Sequence, residues 1–271
     1  MEHINKFIDN YPETTSSRTP SCKPISQPVG GLFIGNDNMN LAEWREDCMK
    51  VGEPYSIETQ KEDPVTKKFI EITGRLIVSP KLIVLRHSPF LKMDAPTRSV
   101  IGEWNATADK TLKEQKLAFC VKRYLIFFLD DEYRKLHRRP IQLTARGYFL
   151  HRFDTKLLEF NLYMFNQNGM PRQKLYLLQD SKDTWIAANF VFEPQFVSEK
   201  VGDAGKRSNA CLTKEFAKTD RLYKPHPSED PEEHDRLFRE SKDWYKLPYQ
   251  KSTSPKPSVT TDDIVYEEFD L

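Results

Sequence analysis

Residues 117–129 read LAFCVKRYLIFFL and decide the fold expected for this chain of 271 residues. The second half of the stretch is apolar on both faces, which is typical of a central β-strand covered on both sides. The acidic run Asp130-Asp131-Glu132 follows and indicates a turn. A short strand is expected next, over residues 140–144.

In residues 148–165 the apolar positions recur at the spacing of an α-helix instead of that of a strand. The apolar stripe consists of Phe149, Phe153, Leu157, Phe160 and Met164. This spacing predicts one long amphipathic helix, which ends before Asn168-Gly169.

Runs rich in β-formers lie before and after this helix. FIEITGRLIVSP begins at Phe69, and KLIVLRHSP follows it. Another strand is predicted over residues 97–104, and two late strands over residues 185–192 and 208–216. The order strands, helix, strands predicts an α+β fold. Its core is expected to be an OB-like β-barrel with one long inserted helix, not an alternating βαβ sheet.

Composition divides the chain into four parts. Residues 1–31 are rich in Pro, Ser and Thr, which predicts a flexible N-terminal arm. Residues 32–223 form the expected OB-like α+β domain, and residues 224–250 a peripheral helical segment. Residues 251–271 are predicted to be a disordered linker with an acidic C-terminal tail.

Composition also excludes several classes of protein. The longest uninterrupted apolar run covers only residues 124–129, whereas a membrane-spanning helix needs about 20 apolar residues. The N-terminus lacks the apolar region of a secretory signal. The four cysteines are widely spaced and form no C-x-x-C pair, which argues against a disulfide framework and a zinc ribbon. These features predict a cytoplasmic protein without a metal or cofactor.

Basic residues concentrate in residues 121–152, where eight Lys and Arg side chains outnumber three acidic ones. A basic groove attracts the phosphates of a nucleic acid. The residues predicted to follow the backbone are Lys122, Arg123, Arg134, Lys135, Arg138, Arg139 and Arg146, with Lys206 and Arg207 closing one edge. The candidate platforms for base stacking are Trp104, Tyr124, Tyr133 and Tyr148. A solvated surface over core aromatics is the alternative interpretation.

Residues 262–271, DDIVYEEFDL, carry five acidic residues and no basic one. Such a segment can bind a partner's pocket rimmed by bases, or it can occupy the chain's own basic groove. The residues predicted to bind a partner are Asp262, Asp263, Ile264, Tyr266, Glu267, Glu268 and Phe269. The order linker, acidic cluster, apolar end resembles the C-terminal tip of bacterial and phage single-stranded DNA-binding proteins. Those tips usually end in Phe, whereas Asp270 and Leu271 follow Phe269 here. A solubilising tail is the alternative.

Larger segments carry a second resemblance. They are LIVSPKLIVLRHSP, FCVKRYLIFFLDDEYRKLHRRPIQLTARG, the helix that follows, and VFEPQFVSEKVGDAGKRSNAC. Together they are similar to an uncharacterised, mainly cyanobacterial domain family whose function is unassigned. The resemblance covers about residues 30–220 and implies kinship without a mechanism.

No catalytic motif is complete. The loop GDAGKRS at residues 202–208 departs from a phosphate-binding P-loop, because Lys200 replaces its first Gly and Arg207 its Ser or Thr. His226 and His234 lack convergent metal ligands. The run Asp130-Asp131-Glu132 would suit Mg²⁺ in a nuclease, although a turn is the commoner use of such a run. The chain is therefore expected not to be an enzyme.

These observations predict a protein that binds single-stranded nucleic acid, in the first place DNA, during replication or recombination. Its tail would recruit replication or recombination proteins or inhibit binding by its own chain. The alternative is a non-enzymatic interaction or scaffold protein without nucleic-acid binding. A nuclease built on the acidic residues is a third hypothesis.

Overall fold

The computed structural model describes residues 19–27, 29–62, 69–168, 185–202, 207–225, 230 and 232–244. The predicted tail and its seven partner-binding residues lie outside these ranges, as does Lys206. The strands of the described ranges are β1 (Ser21–Ile25), β2 (Gly31–Gly35), β3 (Glu53–Glu62), β4 (Phe69–Ile77), β5 (Lys81–His87), β6 (Leu91–Asp94), β7 (Val100–Glu103), β8 (Ala118–Leu129), β9 (Ile141–Arg146), β10 (Pro194–Val201) and β11 (Ser208–Phe216). The helices are α1 (Asn36–Leu41), α2 (Lys110–Glu114), α3 (Gly147–Gln167), α4 (Trp185–Asn189) and α5 (Glu233–Glu240).

Nine strands form one mixed sheet in the order β3–β4–β2–β1–β9–β8–β6–β7, and β5 also pairs with β8. The central strand β8 pairs with β9 along one edge and with β5 and β6 along the other. Only the pair β1–β9 is parallel within this sheet. Strands β10 and β11 form a separate antiparallel hairpin.

The α+β class is confirmed, but the OB-like barrel is not. Within the described part of the chain, β3 and β7 are the two ends of the strand order, so the sheet stays open. Closure of a barrel would require these two strands to pair with each other.

The long inserted helix α3 is confirmed, since it covers residues 147–167 against the predicted 148–165. Its apolar stripe includes Phe153 and Phe160, which are fully buried against one side of the sheet, the first face. Tyr124 and Phe128 of β8 belong to the same cluster. Burial of this stripe stabilises the helix more than its intrinsic propensity does.

On the opposite side of the sheet, the second face, the described residues after 224 cover part of the surface. Leu85 of β5 and Leu125 of β8 pack there against Leu237 of α5, with Phe238 and Trp244 beside them. The peripheral segment after residue 224 therefore carries the short helix α5 and closes part of the core.

Three local predictions need correction. Residues 185–192 were expected to form a strand, but Trp185–Asn189 is the helix α4. The pair Ala187-Ala188 favours a helix, and an apolar run this short fits a buried helix as well as a strand. Strand β1 lies inside the predicted arm and pairs with β2 and β9, so the folded region begins before residue 31. The sequence LAEWREDCMK at residues 41–50 predicts a short helix, whereas the structure has a short 3-10 turn there, at Glu46–Cys48, after α1 ends at Leu41.

Candidate functional site

The structure divides the predicted basic residues among separate places. Lys122 lies in the interior of the first face, and Arg123 and Arg146 lie on the second face. The loop of residues 130–139, which follows β8, carries four more. Arg123 precedes this loop by seven residues, which is about 23 Å along a strand. The expectation of one continuous basic groove is therefore corrected.

Lys122 and Tyr124 are part of the folded core. Lys122 is 4% exposed and Tyr124 is fully buried. Lys122 Nζ donates to Asp154 Oδ1 over 2.6 Å, and the Tyr124 hydroxyl donates to the same oxygen over 2.9 Å. Burial and the charge of Lys122 lower the pKa of the adjacent His87 to about 4. A nucleic acid therefore has no access to Lys122 or to the ring of Tyr124.

The four basic residues of the 130–139 loop have partners within the fold. Their contacts are Arg134 to Glu132 (2.6 Å), Lys135 to the rings of Phe127 and Tyr223, Arg138 to Glu43 (3.9 Å), and Arg139 to the carbonyl oxygen of Leu41 (3.3 Å). Lys135 is only 3% exposed. Arg138 is 71% exposed and remains a surface residue.

The acidic run of the same loop acts as a turn. Asp130 Oδ1 accepts hydrogen bonds from the backbone N–H groups of Glu132 and Arg134. Its other oxygen lies 2.7 Å from Arg45 Nη2. Burial raises the pKa of Asp130, but these bonds outweigh burial and the net effect is a lowered pKa. Asp131 is paired with Lys81 at 2.6 Å. This geometry matches the turn predicted as the commoner use of the run.

Arg123 and Arg146 meet on the second face because of the β8–β9 register. Arg123 lies opposite Thr144, and Arg146 lies opposite Val121. Alternate residues of a strand share a face, so Arg123 and Arg146 are diagonal neighbours on this face. Thr144 lies between them as a small polar side chain.

Lys23 extends this group across β1. Ser21 pairs with Gln142 and Cys22 with Leu143 in the parallel β1–β9 ladder. Because Cys22 and Leu143 are in the first-face core, Lys23 lies on the second face beside Thr144. Its side chain is exposed, and Nζ lies 5.9 Å from the Phe33 ring centroid. Partial burial lowers the pKa of Lys23.

Arg98 is a fourth cation beside these residues, because it and Arg146 both contact the ring of Phe119. The guanidinium carbons of Arg98 and Arg146 lie 5.1 Å and 5.5 Å from the centroid of the Phe119 ring. Phe119 is two residues before Val121 on β8 and so shares the second face. We call Lys23, Arg98, Arg123 and Arg146 the basic patch.

None of the four patch residues takes part in an ion pair with another described residue. Arg123 Nε is buried and has no hydrogen-bond partner within the described ranges. Burial lowers the pKa of Arg123, but a guanidinium stays charged in proteins. The patch is thus a set of cations whose charge the described carboxylates leave uncompensated.

Sequence reasoning found Arg123 and Arg146 and missed Lys23 and Arg98. Lys23 was placed in a flexible arm, although its alternation with Cys22 in a strand would have shown its face. Arg98 has a positive φ of 58° in a turn, and no periodic signal points to it.

The remaining predicted residues lie apart from one another. Tyr148 is 54% exposed in the first turn of α3, two residues after Arg146. Trp104 is half-buried after β7, and Arg207 is exposed before β11. The Tyr133 ring lies in the 130–139 loop, 5.0 Å from Lys81 Nζ and 4.7 Å from the Arg221 guanidinium carbon. Of the predicted platforms, Tyr148 is thus the one next to the patch in sequence.

The described ranges also bear on membrane spans and metal sites. None of their helices has the length and apolar character to span a bilayer. No group of three or more His, Cys, Asp or Glu side chains in these ranges is arranged to hold a metal ion.

The described residues thus form an α+β protein with an open mixed sheet and a basic patch on its second face. The chain belongs to the DUF5895 family, a domain of unknown function whose model matches residues 17–222. It is similar to "Uncharacterized protein 254L" of Invertebrate iridescent virus 6, with 30% identity over 299 residues, which covers 97% of this chain and 88% of that protein. No solved structure matches the chain. The matched range contains the whole basic patch and excludes α5 and the tail.

Proposed function

We propose that the protein binds single-stranded nucleic acid, in the first place DNA, through the basic patch on the second face of its sheet. The observation that carries this proposal is the convergence of Lys23, Arg98, Arg123 and Arg146 without a carboxylate partner in the described ranges. Lys122 differs from these four residues, because it is buried and paired with Asp154.

The patch suits a phosphate backbone for two physical reasons. Arg and Lys contacts release condensed counterions from a nucleic acid, and this release supplies sequence-independent affinity. Guanidinium groups also donate two parallel hydrogen bonds to phosphate oxygens. Gln142 and Thr144, which lie on the same face between the cations, add neutral hydrogen-bonding groups.

The test compares two single-charge variants in the binding of a fluorescein-labelled oligo(dT) of about 16 nucleotides. Arg146→Ser removes a patch cation, and Arg138→Ser removes an exposed cation of the 130–139 loop. We expect Arg146→Ser to weaken binding severalfold and to lower the salt slope by about 0.7. Arg138→Ser should leave both unchanged.

Equal effects of the two variants would contradict the patch as the binding surface. No binding by the wild-type chain at low salt would reject the function and favour the interaction or scaffold protein. A role in replication or recombination stays a prediction, and the part played by the tail is a further element of the proposal.

A further inference from the structure

Strands β3 and β4 pair as a two-stranded ribbon. The outer part of this ribbon exposes apolar side chains and is a second candidate surface. Strand β4 pairs with β2 only over residues 74–77, whereas its residues 69–73 pair with β3 alone. Three large apolar side chains of this outer part are exposed: Phe69 (56%), Ile70 (40%) and Ile72 (37%). Alternation places Ile70 and Ile72 on one side of the ribbon and Phe69 on the other. Single exposed hydrophobes are ordinary, but exposed apolar side chains that neighbour each other on one side mark an interaction surface.

The ribbon has two chemically different sides. Ile72 lies opposite Ile57, and Tyr55 lies two residues along on the same side. The other side carries Phe69 and the directly opposed pair Glu58 and Glu71. Like charges in such a pair repel each other and any polyanion.

The apolar side is continuous with the basic patch. Leu76 of β4 pairs with Phe33, and Phe33 pairs with Lys23. Alternation then places Ile72 on the same second face as Lys23. From β8 to β3 this face crosses five strand spacings, which is roughly 24 Å.

We propose that this apolar side, with Tyr55, Ile57 and Ile72, packs against the unpaired bases of the strand whose phosphates lie on the basic patch. The inference rests on the proposed function and explains why the ligand is single-stranded. The faces of unpaired bases are apolar and accessible, whereas a duplex stacks them inside. The acidic side of the same ribbon faces away from the patch, so only one side can receive the strand.

The test separates bases from phosphates. Binding of oligo(dT) is compared with binding of an abasic oligonucleotide of the same length and with a duplex. Ile72→Ser should weaken oligo(dT) binding about tenfold, because it removes an apolar side chain that the bases would bury, and should leave binding of the abasic strand unchanged. The matched control Phe69→Ser alters an exposed residue of the same strand on the other side, and should change neither affinity. Wild-type protein should bind oligo(dT) more tightly than the abasic strand or the duplex.

Ile57→Ser, at the cross-strand partner, is a second variant that should repeat the result of Ile72→Ser. If both variants bind oligo(dT) as the wild type does, or lose abasic binding equally, the ribbon does not contact bases. That outcome leaves the patch proposal standing, because wild-type binding and its loss in Arg146→Ser are measured separately. Absence of any wild-type binding would overturn both.

Discussion

Lys122 Nζ lies 2.6 Å from Oδ1 of Asp154, and this contact joins β8 to the third turn of α3. Lys122 is almost completely buried, whereas the Asp154 side chain is 28% exposed. The next residue, Arg123, points to the opposite face and has no ion-pair partner in the described ranges. The two adjacent cations thus differ in their surroundings, because Lys122 is buried in an ion pair whereas Arg123 is half-buried on the second face.

We predict that Lys122→Met leaves oligonucleotide affinity unchanged and lowers the free energy of unfolding. Asp154→Ala should destabilise more, by about 3 kcal/mol, because it leaves a buried ammonium without a partner. Urea unfolding and oligonucleotide titration of both variants measure the two quantities. A loss of affinity in a stably folded Lys122→Met variant would return Lys122 to the binding site.

His137 predicts a pH dependence of stability. Its Nε2 accepts the Phe128 N–H and its Nδ1 donates to the Arg139 carbonyl, so the ring is held neutral. Burial lowers its pKa from 6.5 to about 3. Below pH 6.5 His137 binds a proton in the unfolded chain, whereas in the folded chain it stays neutral down to about pH 3. The free energy of unfolding therefore falls as the pH falls through this window.

From pH 6.5 to pH 5 this one residue should cost about 2 kcal/mol. In His137→Gln, which keeps an acceptor and a donor, the corresponding loss should be absent. Denaturant unfolding at several pH values gives both curves. Parallel curves for the two proteins would contradict the assignment of a neutral buried His137.

The fold was predictable from the sequence only where neighbouring residues carry the signal. The period of α3 is set by residues three and four apart, so its position was found to within two residues at each end. The β1–β9 pair joins Ser21 to Gln142, and no local pattern specifies so distant a parallel contact. The OB-like barrel is not confirmed, because closure depends on the order in which strands pair, and the strand content of a sequence does not specify that order.

Gly74 lies where β4 begins to pair with β2 as well as with β3, and a substitution there tests how closely β2 and β4 approach. A Cβ at this position would overlap the backbone of Ile34 and Gly35 on β2. We expect Gly74→Ala to lower the free energy of unfolding by about 1–3 kcal/mol. Gly102, on β7, has open space around an added Cβ, and Gly102→Ala should stay within about 0.5 kcal/mol. Equal thermal stability of the two variants would contradict the close β2–β4 approach.

The acidic tail should compete with the nucleic acid. Trp244 packs beside Val121, which lies opposite Arg146, and seventeen residues separate Trp244 from Asp262. This length spans at most about 60 Å, enough to return to the patch. Deletion of residues 262–271 should tighten oligonucleotide binding, more strongly at low salt.

A variant with the five tail acids changed to amides should match the deletion, and a tail of scrambled order should match the wild type. Equal affinity of all four proteins would leave only a role in partner recruitment for the tail.

The sequence predicted two of the four residues of the basic patch. Arg123 and Arg146 stood out by composition, but Lys122 looked equivalent to Arg123. Alternation along β8 places Lys122 on the same face as Tyr124 and Phe128, and this pattern, which the groove prediction did not use, would have indicated burial. Its partner Asp154 became known only when the packing of α3 was known, since the two residues lie 32 positions apart.

The most direct test of the account is the salt dependence of oligo(dT) binding by the wild-type chain between about 50 and 200 mM salt. Four phosphate contacts predict a slope of log K against log salt of roughly −2.8, at about −0.7 for each contact. Arg146→Ser should reduce the slope by one such step. A flat dependence, or no binding at the lowest salt, would contradict the basic patch as a nucleic-acid surface.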